Sequence, residues 1–205
     1  MKNRCTWVNQ NPKMIKYHDT EWGVPVFDDQ ILFEFLTLES AQAGLSWETV
    51  LNKREGYKEL FADFDPRKVS EFSEEKISEI LLNPKIIRNK LKVHAAVNNA
   101  KKFLEVQKEF GSFANYIWKF VDGKPINNQI KNGNEIPATS EISDKLSKDL
   151  IKRGFKFVGS TIIYAHMQAT GMVNDHLTSC FRYKELYFLK VSSKELNQNY
   201  KRRID

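Results

Sequence analysis

The amino-acid sequence predicts an all-α protein. Apolar residues recur every three or four positions in most of its segments, as they do on the buried face of a helix. Residues that favour helix N-caps, chiefly Ser and Asp, precede several of these segments, and Gly follows several of them. No segment alternates apolar and polar residues over the length of a strand. These three observations predict a compact helical domain.

The first half of the chain contains four predicted helix starts. A helix that begins at Asp28 or Asp29 carries a strongly apolar stripe and ends near Ala43, because Gly44 follows it. Further helices are predicted to begin at Ser46, at Asp65–Pro66 and at Ser73, the last of them ending near Asn83–Pro84.

The second half contains a long helix, a loop and two further helices. The long helix is predicted over residues 89–110, and a short one follows Ser112. The segment 122–140 is the longest predicted loop, because Gly, Asn and Pro are frequent in it. A helix that ends at Gly154 and another over 160–170 complete the series.

The domain organisation follows from this order. Residues 1–185 are expected to form a single helical domain, or two lobes that share a core and divide at 122–140. The C-terminal segment 186–205 is polar and is expected to fray.

The composition favours a soluble protein with a polyanionic partner. The 205 residues carry a net charge of +6 and have a pI near 9.1, as expected for a protein that binds nucleic acid or a membrane surface. No apolar run is long enough to span a bilayer, and the N-terminus lacks the apolar core of a signal peptide, so the cytoplasm is the expected location. The only two cysteines, Cys5 and Cys180, argue against a disulfide framework in that compartment.

Glu39 occupies a position at which the helical pattern requires an apolar residue. The residues that share this face are Leu32, Phe35, Leu36 and Glu39. Burial of an unpaired carboxylate costs free energy. Either an arginine inside the core pairs with Glu39, for which Arg54 and Arg153 are the candidates, or the acid faces a pocket and serves a function.

Two cysteines and two histidines form a candidate metal site. Cys5 and His18 lie near the start of the chain, and His176 and Cys180 lie near its end. The i, i+4 spacing of the second pair would place both side chains on one face of a helical turn. A Cys2His2 set closes a tetrahedral zinc site, which is structural because no position is left for water, and it would clip the chain ends together. The alternative is two buried thiols and two hydrogen-bonded histidines.

The segment 83–100 joins two predicted helices through a short basic connector. Its cations are Lys85, Arg88, Lys90 and Lys92. Backbone N–H groups at a helix start bind anions, and nearby cations strengthen that binding. This is the layout of a helix–hairpin–helix, which grips the DNA backbone without reading its sequence. The alternative is an ordinary solvated, lysine-rich helix start.

Three stretches together resemble the DNA-3-methyladenine glycosylase I family: CTWVNQNPKMIKYHDTEWGVP (5–25), LESAQAGLSWETVLNKRE (38–55) and KRGFKFVGSTIIYAHMQATGMVNDHLTSC (152–180). The resemblance implies a helix–hairpin–helix glycosylase of base excision repair, a monofunctional N-glycosyl hydrolase. Such an enzyme extrudes N3-methyladenine from alkylated double-stranded DNA and hydrolyses the bond between base and deoxyribose. It leaves an abasic site and releases free 3-methyladenine. A monomer is expected, with no membrane partner.

The resemblance also implies roles for individual residues. Glu39 matches the acid that contacts the extruded base and is the one candidate catalytic residue. The aromatic positions that line or support the base pocket are matched by Trp7, Tyr17, Trp22 and Trp47. The zinc ligands are matched by Cys5, His18, His176 and Cys180, so structural Zn²⁺ becomes the leading interpretation. The DNA-contacting positions are matched by Gly44 and Leu45, near the gap left in the duplex, and by the hairpin residues Ile86, Ile87, Arg88, Asn89 and Lys90.

Two positions depart from the family pattern. Met14 stands where many members have tyrosine, and a thioether specifies a planar ligand less rigidly than a ring does. Lys85 stands where family hairpins often have the glycine that lets a phosphate approach closely. Both departures keep an alternative open, a non-catalytic DNA-binding module that recognises alkylated bases. A zinc hydrolase is disfavoured because four protein ligands leave no position for an activated water. Asp175 is interpreted as a helix cap rather than as a catalytic aspartate.

Overall fold

A computed structural model of the chain describes residues 2–187, and the predicted helical fold is confirmed there. The protein is 62% helical and has eleven α-helices within the described residues. They span Pro12–Thr20 (α1), Asp29–Gln42 (α2), Trp47–Asn52 (α3), Arg54–Leu60 (α4), Pro66–Ser70 (α5), Glu74–Leu82 (α6), Lys90–Phe110 (α7), Phe113–Trp118 (α8), Glu141–Lys152 (α9), Ser160–Ala169 (α10) and Phe181–Tyr187 (α11). Short 3-10 helices at Ala62–Phe64, Lys119–Val121 and Gly133–Glu135 and the strands Ile126–Asn127 (β1) and Val173–Asn174 (β2) complete the elements. Of the helices described, none is both long and apolar enough to cross a membrane.

Helix α2 is the centre of the fold. It begins after Asp28, whose carboxylate accepts hydrogen bonds from the N–H groups of Gln30 (3.0 Å) and Ile31 (3.3 Å), as expected for an N-cap. Its buried residues lie on all sides of the helix, which is typical of a core helix. It packs against both α7 and α10. The position of α2 therefore determines the surroundings of Glu39.

Asp29, the first residue of α2, fastens α8 to this centre. Its carboxylate accepts hydrogen bonds from the N–H groups of Phe113 (2.7 Å) and Ala114 (2.9 Å). A carboxylate at this end of α8 also interacts favourably with the helix dipole. The Phe113 ring then stacks on Phe103 of α7, with centroids 4.0 Å apart. The side chains of Asp29 and Phe113 thus join α2, α8 and α7.

The predicted loop 122–140 is held against the C-terminal part of the chain. Strand β1 pairs in parallel with β2, and Thr178 N–H donates a hydrogen bond to the Ile130 carbonyl at 2.7 Å. Buried residues on both sides of the loop belong to one hydrophobic cluster. The two strands were not predicted, because a period of two cannot be recognised over two residues.

Three helices, α1, α4 and α11, lie where the sequence pattern predicted none. The Asn11 side chain caps α1 by accepting a hydrogen bond from Lys13 N–H at 2.9 Å, and Pro12 occupies the first helical position. Helix α11 runs to Tyr187, so residues 186 and 187 of the predicted tail are helical. The remainder of that tail, 188–205, lies outside the described residues.

Gly171 allows the segment after α1 to cross the end of α10. Its φ is +68°, and a Cβ at this position would collide with the Val24–Pro25 backbone. A hydrogen bond from Gly23 N–H to the Gln168 carbonyl, 3.0 Å long, holds the crossing. This close approach brings Trp22 next to the C-terminal segment, where it contributes to the site described below.

The buried His166 imidazole makes the stability of the fold depend on pH. Its Nε2 donates a hydrogen bond to the Leu32 carbonyl at 3.2 Å, and burial lowers its pKa from 6.5 to about 4. Between these values the unfolded chain binds a proton that the folded protein does not. The free energy of unfolding should therefore fall by roughly 3 kcal/mol as the pH drops from 6.5 to 4.

Chemical denaturation at several pH values measures this change as the difference between the wild type and His166→Gln, which keeps a donor for Leu32. His94→Gln, at a partly exposed histidine, is the control and should follow the wild type. Parallel curves for wild type and His166→Gln would contradict the assignment.

Candidate functional site

A cavity of about 420 Å³ opens beside α2. The residues that line it are Trp7, Asn9, Met14, Tyr17, Trp22, Glu39, Gln42, Ser46, Trp47, Glu48, Ile136, Ala165 and Gln168. All five residues that the sequence analysis assigned to a substrate pocket are among them. They reach it from separate elements: α1, α2, α3 and the two segments that flank α1.

Aromatic rings form the walls of this cavity. Tyr17 of α1 and Trp47 of α3 have centroids 5.1 Å apart with their planes inclined at 45°. Trp7 and Trp22 meet edge to face at 5.0 Å. Tyr17 and Trp22 are buried, whereas Trp7 and Trp47 are half-buried, so the cavity is apolar inside and open at one side. Such walls suit a planar ligand.

Glu39 enters this cavity as a buried carboxyl without a partner. It is 4% exposed, and no described residue forms a hydrogen bond or an ion pair with it. Burial raises its pKa from 4.5 to about 8. The ligand-free protein therefore holds this acid mainly in the neutral form near pH 7.

The two arginines proposed as core partners of Glu39 are both engaged elsewhere. Arg54 contacts Glu21 and Glu34, each at 2.7 Å. Arg153 contacts Asp149 at 2.8 Å and Glu109 at 2.7 Å. The arrangement supports the second interpretation of Glu39, in which the acid faces a pocket.

Two indoles of the cavity lining have N–H groups without a hydrogen-bond acceptor. The Nε1 atoms of Trp7 and Trp47 are buried, and neither has a hydrogen-bond acceptor among the described residues. Buried polar groups normally have partners, and leaving one unpaired costs about 1–3 kcal/mol. Both nitrogen atoms are shielded from solvent, so a ligand in the cavity reaches these donors only after a side chain moves.

The rim of the cavity contains residues that the sequence analysis did not select. The Glu48 carboxylate accepts hydrogen bonds from the side-chain amides of Asn9 (2.8 Å) and Asn11 (2.7 Å). This carboxylate ties the segment before α1 to α3, which carries Trp47. Glu48 follows Trp47 directly, but no local pattern indicates a contact across 37 to 39 residues. No sequence pattern indicated that Ile136, from the loop 122–140, lines the cavity.

The four predicted metal ligands form a second, buried cluster. Cys5, His18, His176 and Cys180 offer ligand atoms that all lie within 4.8 Å of one another. Cys5 Sγ is 3.5 Å from His176 Nδ1, and Cys180 Sγ is 3.5 Å from His18 Nε2. The hydrogen bond between the thiols raises the pKa of Cys5 and lowers that of Cys180. This group could hold a metal ion, because a cation would stabilise both thiolates.

Both imidazoles of the cluster are oriented by a second partner. His18 Nδ1 is 2.8 Å from Asp19 Oδ1, and Asp19 is held by two hydrogen bonds from Arg4. His176 Nε2 is 3.0 Å from the Trp22 carbonyl. Each ring thus donates with the nitrogen that faces away from the cluster, and the other nitrogen keeps its lone pair for a metal.

The cluster and the cavity share a wall. The Trp7 ring packs on His18 with centroids 5.3 Å apart, and the Trp22 ring packs on His176 at 4.6 Å. The predicted helical turn between His176 and Cys180 does not form. An irregular turn closed by a hydrogen bond from Cys180 N–H to Leu177 O (2.7 Å) brings the two side chains together instead. The cluster holds the two indoles in place from behind.

Asp175 is not the helix cap that the sequence analysis expected. Its buried carboxylate accepts hydrogen bonds from Asn128 Nδ2 (2.6 Å), Tyr164 Oη (2.7 Å) and Gln168 Nε2 (2.8 Å). It does not line the cavity. Asp175 instead fastens the loop 122–140 to α10, and Gln168 carries this connection to the cavity wall.

The connector between α6 and α7 is divided between core and surface. The Ile86 side chain is buried, whereas Arg88, Asn89 and Lys90 are exposed. The half-buried Ile87 donates its N–H to the Tyr57 hydroxyl at 3.3 Å. Only the three exposed members of the predicted hairpin set therefore present side chains to a partner.

The two positions that depart from the family pattern also have defined surroundings. Lys85 forms an ion pair with Glu59 at 2.6 Å, so its charge is partly neutralised. Met14 is buried and lines the cavity, as a ring at this position would.

Comparisons with known sequences place the chain among enzymes that act on one modified base. The sequence profile of the methyladenine glycosylase family matches residues 7–183. DNA-3-methyladenine glycosylase 1 of Escherichia coli (strain K12) is 48% identical over 180 residues, which cover 88% of this chain and 96% of that protein. DNA-3-methyladenine glycosylase of Haemophilus influenzae (strain ATCC 51907 / DSM 11121 / KW20 / Rd) is 47% identical over 180 residues, covering 88% of this chain and 97% of that protein.

Solved structures agree with the sequences. A crystal structure of 3-methyladenine DNA glycosylase I has a TM-score of 0.85 and 50% identity, covering 87% of this chain and 98% of its own. A structure that describes 3-methyladenine recognition by the Staphylococcus aureus enzyme has a TM-score of 0.85 and 37% identity, covering 88% of this chain and 96% of its own.

Replacement of Glu39 by Gln should remove a pH-dependent cost of folding. Because the pKa of Glu39 is raised to about 8, the folded protein keeps a proton that the unfolded chain loses above pH 4.5. The stability of the wild type should fall by up to about 5 kcal/mol relative to Glu39→Gln as the pH rises from 4.5 to 8. Denaturant unfolding of both proteins measures it. Glu55→Gln, at an exposed site, should behave as the wild type; equal slopes for all three proteins would refute the prediction.

Proposed function

The chain belongs to the methyladenine glycosylase family, and we propose on that basis that it is a DNA repair glycosylase. It hydrolyses the N-glycosidic bond of N3-methyladenine in alkylated DNA and releases 3-methyladenine. The observation that carries the proposal is the unpaired, buried carboxyl group of Glu39 inside an aromatic cavity. A neutral apolar ligand would leave this carboxyl group without a partner, whereas a flat cation would pair with it and stack on the aromatic walls.

The cavity receives a base that has left the helical stack. Extrusion costs a few kcal/mol, which the pocket must return through contacts with the base. N3-methyladenine in DNA carries a positive charge, so the faces of Tyr17 and Trp47 attract it more strongly than they attract adenine.

Glu39 supplies the charge that makes this recognition selective. In the ligand-free protein its pKa of about 8 keeps most of it protonated near pH 7. A cationic base lowers that pKa, since an opposite charge favours the carboxylate. Binding of the cation then releases a proton, whereas binding of neutral adenine does not. The affinity of the wild type for the cationic methylated base in DNA should therefore increase as the pH rises toward 8.

Cleavage transfers positive charge from the base to the sugar. The bond between C1′ and N9 breaks, and its electron pair leaves with the base, which departs as neutral 3-methyladenine without needing a proton. A water molecule adds its oxygen to C1′ and loses a proton to solvent. A carboxylate beside the base stabilises the cationic substrate. It lowers the barrier only if it stabilises the developing sugar cation more than it stabilises the cationic base. We therefore expect Glu39 to contribute more to binding of the methylated base than to the rate of bond cleavage.

The connector between α6 and α7 serves as the hairpin that binds the DNA backbone. Arg88 and Lys90 are exposed there, and Asn89 caps α7 by accepting a hydrogen bond from Lys92 N–H at 3.1 Å. Cations and backbone N–H groups at a helix start are suited to phosphates. Gly56 supports this connector because a Cβ there would collide with the Lys85 carbonyl.

We propose that the buried cluster would hold zinc in a structural role. Two thiolates and two imidazoles are ligands that Zn²⁺ prefers, and a tetrahedron with Zn–S near 2.3 Å and Zn–N near 2.0 Å separates its ligand atoms by about 3.5 Å. Three S–N distances, of 3.5 Å and 3.6 Å, agree with this separation, and all four ligand atoms lie within 4.8 Å of one another. Four protein ligands leave no open position, so the ion stabilises the fold and takes no part in hydrolysis.

Base release from methylated DNA tests the function. Chromatography of the reaction should detect free 3-methyladenine, with the abasic strand left uncut. In the wild type kcat/KM should rise with pH up to about 8, because Glu39 must lose its proton to act as counter-charge. Glu39→Gln should lose this dependence and raise KM at least about tenfold, with a smaller effect on kcat. Glu55→Gln is the control for loss of a surface charge.

The outcomes separate the candidate functions. Binding of damaged duplex without release of any base would favour the non-catalytic module. A Glu39→Gln protein whose kcat falls while KM stays constant would make Glu39 a catalytic residue rather than a recognition residue.

Removal of the metal should weaken both the fold and the cavity. We expect one zinc per chain by elemental analysis, and a chelator should lower the melting temperature, because the ion joins residues near both chain ends. Cys180→Ser should lose the metal and behave like the chelated protein. Trp fluorescence on addition of 3-methyladenine tests the shared wall, because it reports binding in the cavity. Loss of the metal should weaken this binding as well as lower the melting temperature. A metal-free wild type with unchanged melting temperature would exclude structural zinc.

A further inference from the structure

The turn after α2 carries an exposed leucine at the rim of the cavity. Leu45 N–H donates a hydrogen bond to the Gln42 carbonyl at 2.6 Å, and Gly44 has a φ of +79°, which closes a tight turn that favours glycine. Leu45 is 41% exposed, although Gln42 and Ser46 on either side line the cavity. An apolar side chain in this position can enter the gap that an extruded nucleotide leaves in the duplex.

Lys92 holds this turn from the opposite side. It lies in the first turn of α7, and its Nζ donates hydrogen bonds to the carbonyls of Ala41 (2.8 Å) and Ala43 (2.6 Å). Both carbonyls are at the C-terminal end of α2, where they lack partners within the helix and the helix dipole favours a cation. The Lys92 side chain is partly buried, in contrast to the exposed Arg88 and Lys90.

The same lysine belongs to the connector that is assigned to the DNA backbone. Asn89 Oδ1 accepts a hydrogen bond from Lys92 N–H and so caps α7. Lys53 Nζ donates to the Pro84 carbonyl at 2.6 Å, and the Tyr57 hydroxyl accepts from Ile87 N–H. One continuous series of hydrogen bonds therefore runs from α4 through the connector to the turn after α2.

We propose that Lys92 is a positioning residue that sets the Gly44–Leu45 turn relative to the backbone contacts of the connector. The proposal rests on the glycosylase function argued above. The Lys92 ammonium group donates hydrogen bonds to two protein carbonyls. Arg88 and Lys90 make no side-chain hydrogen bond to a described residue, so they are available to bind phosphates. Lys92 acts through Leu45 and touches neither the base nor the bond that breaks.

The physical reason is the geometry of extrusion. Leu45 can replace a base in the stack only if the grip on the backbone places it at the correct nucleotide, and misplacement by about 1 Å can cost about a hundredfold in rate. Without Lys92 the two carbonyls of α2 would bind water in the free protein. On DNA, that water would have to leave, and the partial negative charge of the α2 terminus would face a polyanion.

Three variants test the proposal. Lys92→Met keeps most of the aliphatic stem and removes the donors, and Lys92→Arg keeps a cation that can donate to both carbonyls. Lys101→Met is the matched control, because Lys101 is an exposed lysine farther along α7 without a side-chain hydrogen bond to a described residue. Melting curves and the Kd of free 3-methyladenine, measured by Trp quenching, establish that fold and cavity are intact.

The decisive measurement reports the state of the duplex. DNA with a tetrahydrofuran abasic analogue opposite 2-aminopurine becomes more fluorescent when the opposite base is unstacked. At saturating protein, wild type and Lys101→Met should increase the signal, and Lys92→Met should reduce that increase at least about fivefold. The kcat for base release from methylated duplex should fall at least about tenfold in Lys92→Met, with the Kd of free base within about twofold of wild type. Lys92→Arg should restore most of both signals.

Each other outcome overturns the proposal. Wild-type fluorescence and kcat in Lys92→Met would show that the turn needs no such support. Loss of free-base binding would make Lys92 a structural residue of the cavity. An effect confined to KM and abolished at low salt would make it an ordinary phosphate contact. If the wild type itself releases no base, the proposed function fails, while the 2-aminopurine signal still decides the role of Lys92.

Discussion

The carboxyl group of Glu39 is kept from water on a helix that cannot rotate, because the other faces of α2 are packed in the core. Its desolvation costs free energy in the ligand-free protein, and the apolar contacts of Leu32, Phe33 and Phe35 offset that cost. The cost is relieved when a cation enters the cavity. In the proposed function, the same group that weakens the fold would therefore make binding selective, and no rearrangement of the protein would be needed to create the counter-charge.

The aromatic walls depend on how the chain closes on itself. Trp7 and Trp22 come from segments on either side of α1, and both pack against histidines of the Cys2His2 cluster. Cys180 and His176 reach that cluster from the other end of the chain. An ion bound at this place would stabilise the long-range closure and, through two ring contacts, the shape of the cavity. None of the four cluster residues lines the cavity, so an ion held by them would act on stability and not on the reaction.

The edge that we propose meets DNA combines elements that are distant in sequence. The turn at Gly44 follows the central helix, and the connector precedes α7, yet Lys92 joins them by two hydrogen bonds. In the proposed complex, this arrangement would let the residues that contact the DNA backbone and Leu45 act as one rigid surface. The cavity behind it is fixed by α1, α2 and α3, so recognition of the base and distortion of the duplex can be disturbed separately.

The helical class and most helix limits follow from the sequence, because periodicity and capping residues are local signals: Asp28, Ser73 and Gly154 mark ends that the structure contains. The cavity residues and the candidate metal ligands were predicted through resemblance to a family, since spacing alone left the cluster of Cys5 and His18 ambiguous. Tertiary structure decided the rest. Only packing shows that Arg54 and Arg153 are engaged away from Glu39 and that Asp175 binds three donors. These contacts join residues tens of positions apart, and their partners are selected by how packed helices meet, which no local pattern records.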